Sequence, residues 1–235
     1  DAVAHGVRRI PEQLIEQLYF ESHHIPTAEM PGKIIHHEEA EKSYLSMLAS
    51  AFGSDFSLHG LSVVVDCAHG AASSLASPLL SSFGVHLTLL GNSPDGLNIN
   101  RGFGSEAPDQ LRAEVKKHNA DLGIAFDGDA DRVVFIDEQG ELIDGDAVLA
   151  LMAIYAKKSG RLHKNTIVAT IMSSVALDKT LAPYDIRVVR TNVGDKLVAH
   201  KMTEEALSFG GENSGHLLFF PYSTTGDGIF SALEF

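Results

Sequence analysis

Apolar side chains fall along this chain in two alternating rhythms, short unbroken runs and helical spacings of three and four. That alternation predicts an α/β protein. Pro11 at a first helical position, with Leu14, Ile15 and Leu18 on one face, predicts a short helix to about Phe20. Pro26, Pro31 and Gly32 mark Glu21 to Lys33 as a linker, and Tyr44, Leu45, Leu48 and Phe52 define a second helix from about His37 to Phe52. Leu61 to Cys67 reads as a strand covered on both faces. A sharp turn at Ala68 to Ala72 then enters a helix running to about Phe83, and Val85 to Leu90 is the next strand. The polar stretch Gly91 to Ala107 is a loop of the length that usually carries function. Pro108 to His118 is a helix with Leu111 and Val115 inward, and Leu122 to Phe126 is a strand. Val133 to Asp137 turns at Glu138 to Gly140 onto Glu141 to Ile143, a hairpin that makes the sheet mixed.

The rhythm then repeats. A helix from about Ala147 to Lys158, ended by Ser159-Gly160, leads to strand Thr166 to Ile171. Ser174 caps a helix through Leu181, Ile186 to Arg190 is a strand, and Asp195 to Leu207 is a helix. Gly210 to His216 reads as a polar loop, Leu217 to Phe220 as a strand, and Thr225 to Gly228 opens a last helix. The expected fold class is therefore α/β, with two similar units, each a mixed, mostly parallel sheet flanked by helices.

Between two of these strands lies Asp127-Gly-Asp-Ala-Asp-Arg132. Carboxylates at alternate positions place about −3 of charge on one loop, and they repel unless a cation neutralises them. Hard oxygen ligands suit Mg²⁺, which keeps positions for water or a phosphate oxygen. The guanidinium of Arg132 suits a phosphate bridging to that metal. A solvated turn is the plain alternative. A calcium loop of the helix–loop–helix type fits poorly, because its glycine position falls on Arg132 and its flanks read as strands.

Glu212, Ser214 and His216 alternate, so an extended backbone would point all three to one side, where carboxylate, hydroxyl and imidazole suit vicinal sugar hydroxyls. Gly211 and Gly215 would let the backbone approach a ligand. Thr191 to Lys196, with Gly194 before a helix, could hold phosphate or be an ordinary turn.

Composition narrows the partners. A formal charge of −13 over 235 residues argues against nucleic acid or an anionic membrane surface. The single cysteine, Cys67, sits in an apolar strand and allows no disulfide within the chain, which fits a reducing cytoplasm. Ala147 to Ala156 is too short to span a bilayer, and nothing at the N-terminus resembles a signal peptide. The pairs His23-His24 and His36-His37 read as solvated side chains.

Taken together, these motifs resemble the α-D-phosphohexomutase superfamily, and most closely its bacterial amino-sugar branch. Asp127 to Arg132 is similar to that superfamily's metal loop, with Ala130 where glycine is commoner, and Gly211-Glu-Asn-Ser-Gly-His216 to its sugar-recognition loop. Val65 to Gly70, Pro94 to Asn100, Arg190 to Asp195 and Thr224 to Gly228 extend the likeness over about residues 37–235. The resemblance implies a tail of a first domain and linker over 1–36, a second domain with the metal loop over 37–146 and a third with the sugar loop over 147–235. It implies Mg²⁺ on Asp127, Asp129 and Asp131, and Arg132 at the transferring phosphoryl group. Glu212, Asn213 and Ser214 would bind the sugar with Thr191 and Gly194 nearby, and His216 would assist proton transfer. The implied reaction interconverts glucosamine 6-phosphate and glucosamine 1-phosphate through a bound 1,6-bisphosphate, with mannose or glucose phosphates as the alternative substrates. Its phosphoserine loop and an arginine-rich phosphate clamp belong to first and fourth domains expected elsewhere in a parent chain; Ser22-His-His-Ile-Pro26 has the wrong spacing for the former. Two other readings stand beside it. One is a self-sufficient, non-catalytic, metal-dependent sugar-phosphate binding module. The other, a Mg²⁺-dependent phosphatase, lacks a second carboxylate at Asp66-Cys67-Ala68.

Overall fold

The computed structural model describes residues 12–21, 33, 35, 37, 39–220 and 222–235. Two compact units divide the chain, Asp1–Glu38 and Glu39–Phe235. In the first, helix α1 (Glu12–Glu21) begins next to the expected Pro11, which lies outside the described residues, as do His23, His24, His36 and most of the linker. Its apolar residues Leu14, Ile15 and Leu18 are exposed.

The second unit holds two sheets of identical topology. β1 (Ser62–Asp66), β2 (His86–Leu90), β3 (Leu122–Phe126) and β4 (Val133–Ile136) lie in the order β2-β1-β3-β4. β5 (Thr166–Thr170), β6 (Arg187–Thr191), β7 (Phe209–Gly211) and β8 (Leu217–Phe219) lie in the order β6-β5-β7-β8. In each, the first three strands are parallel and the fourth is antiparallel to the third. The repeated mixed sheet is the one expected from the alternating rhythms.

The helices explain why the runs are apolar. α2 (Ala40–Phe52), α3 (Ala76–Ser82), α4 (Asp109–His118), α5 (Gly145–Lys158), α6 (Val175–Leu181), α7 (Asp195–Glu205) and α8 (Gly228–Glu234) complete the unit. α4 buries Leu111 and Val115 against Val64 and Ala125 on one face of the first sheet. α7 does the same with Val198 and Met202 against Val168 and Leu218 on the second. The opposite faces join in one continuous core: Val65, Phe126 and Phe135 from one sheet, Ile167, Phe209 and Phe219 from the other, bridged by Leu149 of α5 and Phe230 of α8. Each such side chain removed from water stabilises the fold by roughly 1.5–3 kcal/mol. α8 touches β3, β4 and β8, so it seats the two sheets together.

Three details differ from the expectation. β7 overlaps the start of the stretch read as a loop, because two of its three residues are glycines, which lack the branched and aromatic side chains that signal a strand. Glu141 to Ile143 makes the expected return but is too short for a strand: Asp137 N donates to Glu141 O and Ile143 N to Phe135 O around the single Ile136–Leu142 pair, and the strand paired with β4 is β3. Asp137 Oδ1 accepts from the amides of Gln139 and Glu141, closing the turn tightly, and Asp144 then caps α5. The helix expected after Ala72 is a single tight turn, Ala71–Ser73, followed by α3. Cys67 is buried, and desolvation pushes its thiol up to about 12, so it behaves as a small apolar residue.

Candidate functional site

The carboxyl ends of parallel strands in open α/β sheets are where ligands bind. Three loops of the first sheet gather there. Asn100 N donates to Ala68 O (2.8 Å) and Ala71 N donates to Gly128 O (2.8 Å), tying the loops after β1 and β2 to the one after β3. That last loop, residues 127–132, turns tightly through Ala130 at φ +59°, with Ala130 N donating to Asp127 O. Glycine takes this backbone at less cost than alanine.

The turn brings the three expected carboxylates together: one oxygen each from Asp127, Asp129 and Asp131 lies within 4.8 Å of the others. Asp127 is buried and Asp129 exposed. Asp131 has its carboxyl raised above the usual range, first by desolvation and then by the charges of Asp127 and Asp129, with His216 opposing. A set of crowded, mutually repelling oxygens with one open side suits a hard divalent ion that keeps some water. The residues therefore fit Mg²⁺.

Arg132 closes the loop. Its amide donates to Asp127 Oδ1 (3.1 Å) and its Nε to Asp127 Oδ2 (2.8 Å). Its Nη1 donates to Glu106 Oε1 (2.8 Å) on the long loop after β2. Glu106 carries no motif, so its place at the site was not visible in the sequence. Asp66, at the end of β1, is buried and accepts from Ala68 N (2.9 Å) and Gly104 N (2.7 Å), fixing the two loops that flank the aspartates.

The connection between β7 and β8 is the counterpart, in the repeated topology, of the aspartate loop between β3 and β4. It is a tight turn rather than an extended segment: Gly215 N donates to Glu212 O (3.1 Å) and Glu212 N to His216 O (2.9 Å). Glu212, Ser214 and His216 consequently do not alternate along one side. Gly215 at φ +95° permits the reversal that the alternation argument left out. Glu212 is half-buried, and its Oε1 accepts from Gly194 N (3.0 Å), so that amide at the start of α7 is occupied by the carboxylate. Thr191 ends β6 and its hydroxyl donates to Asn192 O. Asn213 and Ser214 are exposed at the tip.

His216 is buried, with Nδ1 3.3 Å from Asp131 Oδ2. Its Nε2 is buried without a hydrogen-bond partner among the described residues. Gly226 covers that edge; a Cβ there would collide with the ring. Arg132 and His216 also pair as an isolated antiparallel bridge, and Val133 N donates to Gly215 O (3.1 Å). Asp131, Arg132 and His216 thus meet, while Glu212 is held through Gly194. A cavity of about 590 Å³ lies elsewhere, lined mainly by apolar side chains such as Phe52, Phe56, Leu151 and Tyr155, with Arg161 and Glu234. It contains none of the residues expected at the site.

Fold and site together define a repeated α/β protein with a candidate metal loop joined to a second, equivalent turn. Residues 42–140 match the family model for phosphoglucomutase/phosphomannomutase alpha/beta/alpha domain II, and residues 144–235 that for domain III. The chain belongs to the phosphoglucomutase/phosphomannomutase family. It is 43% identical over 222 residues to the phosphoglucosamine mutase of Clostridium acetobutylicum, covering 94% of this chain and 49% of the relative. It is 46% identical over 209 residues to that of Anaeromyxobacter sp., covering 89% and 45%. The chain therefore spans about half the length of these relatives. A phosphoglucomutase/phosphomannomutase family protein from Burkholderia thailandensis superposes with a TM-score of 0.72 at 26% identity, over 82% of this chain and 42% of that one. Aspergillus fumigatus N-acetylphosphoglucosamine mutase, solved with GlcNAc-6P and magnesium, gives 0.63 at 21% identity over 83% and 50%, a likeness of fold. Among the described residues no helix is long and apolar enough to cross a membrane.

Proposed function

We propose that this chain supplies the metal loop and the sugar-recognition turn of a cytoplasmic phosphoglucosamine mutase. That enzyme would interconvert glucosamine 6-phosphate and glucosamine 1-phosphate for amino-sugar precursors of the cell wall. The observation that carries the reading is the Arg132–His216 bridge, which seats the Glu212 turn beside the aspartates. In this reading a sugar hydroxyl oxygen attacks the phosphorus of a phosphoserine contributed from elsewhere in the parent chain. The serine P–O bond breaks as the sugar P–O bond forms, the hydroxyl's proton ends on the released serine oxygen, and the bisphosphate then returns its other phosphoryl group to that serine, whose proton ends on the freed sugar oxygen.

Phosphoryl transfer asks the protein for position and charge. Asp127, Asp129 and Asp131 would hold Mg²⁺, which supplies positive charge at the transferring group. Arg132, fixed on Asp127, presents a guanidinium to phosphoryl oxygens. Glu212, oriented by Gly194, presents its other carboxylate oxygen to sugar hydroxyls, with Asn213 and Ser214 beside it. Those contacts are to hydroxyls and not to one phosphate end, which suits an intermediate that must bind in two orientations.

The test has two arms. In a parent protein carrying the phosphoserine loop, Asp129→Asn is expected to abolish turnover of glucosamine 6-phosphate; undiminished turnover would remove the metal assignment. Calorimetry on these 235 residues should show Mg²⁺ binding without turnover. Micromolar binding of glucosamine phosphate by this chain alone would favour the binding module instead. Faster turnover of mannose or glucose phosphates by the parent would move the assignment to a phosphomannomutase/phosphoglucomutase.

A further inference from the structure

We infer that Glu106 is a displaceable internal counterion for Arg132, a residue that weakens phosphate capture by occupying the guanidinium meant for it. The inference rests on the reading of Arg132 as the phosphate-binding group. Besides a looser approach to Asp131 Oδ1 (3.8 Å), Arg132 hydrogen-bonds through its guanidinium to two carboxylates of opposite character. Nε donates to Asp127 Oδ2 and Nη1 to Glu106 Oε1, both at 2.8 Å. The Asp127 side chain is 5% exposed and that of Glu106 78%, so the first contact is built in and the second is releasable. An exposed ion pair of this kind adds little to stability, and a phosphate of higher charge can replace it.

The backbone under Glu106 does not share that freedom. Gly104 N is fastened to the buried Asp66 (2.7 Å), Ser105 N donates to Phe126 O (2.9 Å), and Ala107 N to Gly104 O (3.0 Å). Glu106 therefore stands at the rim of the aspartate loop, on the strand end that launches it, and only its side chain can swing away. Its charge adds a fourth carboxylate to a rim that already carries three. Like charges about 4 Å apart under water-like screening shift an equilibrium roughly five-fold. A phosphate reaching Arg132 must overcome both the occupied donor and this repulsion.

Inorganic phosphate titrated into the Mg²⁺-loaded chain, followed by calorimetry, separates the cases. Glu106→Gln is expected to bind phosphate about three- to ten-fold more tightly than the natural chain. Glu106→Asp, too short to keep the contact but equally charged, should show part of that gain. Unchanged or weaker binding by Glu106→Gln overturns the inference, as does a Glu106→Asp variant identical to the natural chain. A loss of Mg²⁺ affinity in Glu106→Gln matching that of Asp129→Asn would make Glu106 a metal ligand, and also overturns it. Arg132→Gln tests the underlying reading separately: phosphate binding that survives it removes Arg132 from the site whatever Glu106 does.

Discussion

Arg132 and His216, from the equivalent turns of the two sheets, pair backbone to backbone. The residue that follows the last aspartate is thereby held in register with the residue that closes the Glu212 turn. Whatever moves one loop is felt at the other, which gives the site its most exposed mechanical weakness.

Gly215 is where that weakness can be tested. It sits at φ +95°, and a Cβ there would collide with the carbonyl of Val133, its partner in the neighbouring hydrogen bond. Gly215→Ala must strain the backbone and push the turns apart, at a cost of about 2 kcal/mol or more. Chemical denaturation is expected to show the lowered midpoint. Mg²⁺ affinity should fall with it, since the push arrives at Val133, next to Arg132.

Asp66 holds the site from behind. It is fully buried, and each of its oxygens accepts a backbone amide, one from Ala68 and one from Gly104. Burial raises its carboxyl while those two amides oppose the rise. Asparagine offers one acceptor and faces the other amide with a donor. Asp66→Asn is therefore expected to cost roughly 1–3 kcal/mol, read as a lower melting temperature, and to loosen the loop that carries Glu106.

Much of this was legible in the sequence, for reasons that differ by residue. Val63 to Val65 and Leu122 to Phe126 announce buried strands because covering both faces requires unbroken apolar runs. The clustering of the aspartate trio was readable because three carboxylates at alternate positions of one short loop cannot lie far apart. Glu212, Ser214 and His216 were recognisable as a set but misplaced in space. Alternation predicts a common side only for extended backbone, and Gly215 turns the chain instead. Glu106 was invisible, since it matters through a contact made across 26 residues of sequence, and Gly226 stood in a recognised stretch whose packing on His216 no pattern announces. β7 was hidden by its own glycines.

As a proposed Mg²⁺ ligand, Asp131 would set the acid limit of metal binding. Desolvation first, then the Asp127 and Asp129 charges, raise its carboxyl above the ordinary range. With no metal bound, the folded state therefore holds a proton more readily than the unfolded chain does. This group's contribution makes the metal-free protein less stable as pH rises from the ordinary carboxylate value through the raised one. Mg²⁺ needs the deprotonated form, so its affinity is expected to fall as pH drops through the raised value, with proton release on binding. Calorimetry in two buffers of different ionisation enthalpy measures that release. A binding enthalpy independent of buffer at every acid pH where Mg²⁺ affinity falls would show that the fall does not come from displacing a proton from Asp131.

His216 can be assigned by what its loss changes. A group acting only as an acid or base in sugar chemistry has no reason to alter Mg²⁺ affinity. The structure gives it one: Nδ1 faces Asp131 at 3.3 Å, while Nε2 is buried beneath Gly226 with no hydrogen-bond partner among the described residues. Under the proposed function that arrangement would orient a carboxylate meant for Mg²⁺, as outer-shell partners do, and losing such a partner typically costs about 10–100-fold in metal affinity. His216→Gln is expected to weaken Mg²⁺ binding toward that range while leaving the Arg132 contact to Asp127 in place. If Mg²⁺ binds the variant as tightly as the natural chain and only turnover in the parent protein suffers, the imidazole works on protons and the orienting role is wrong.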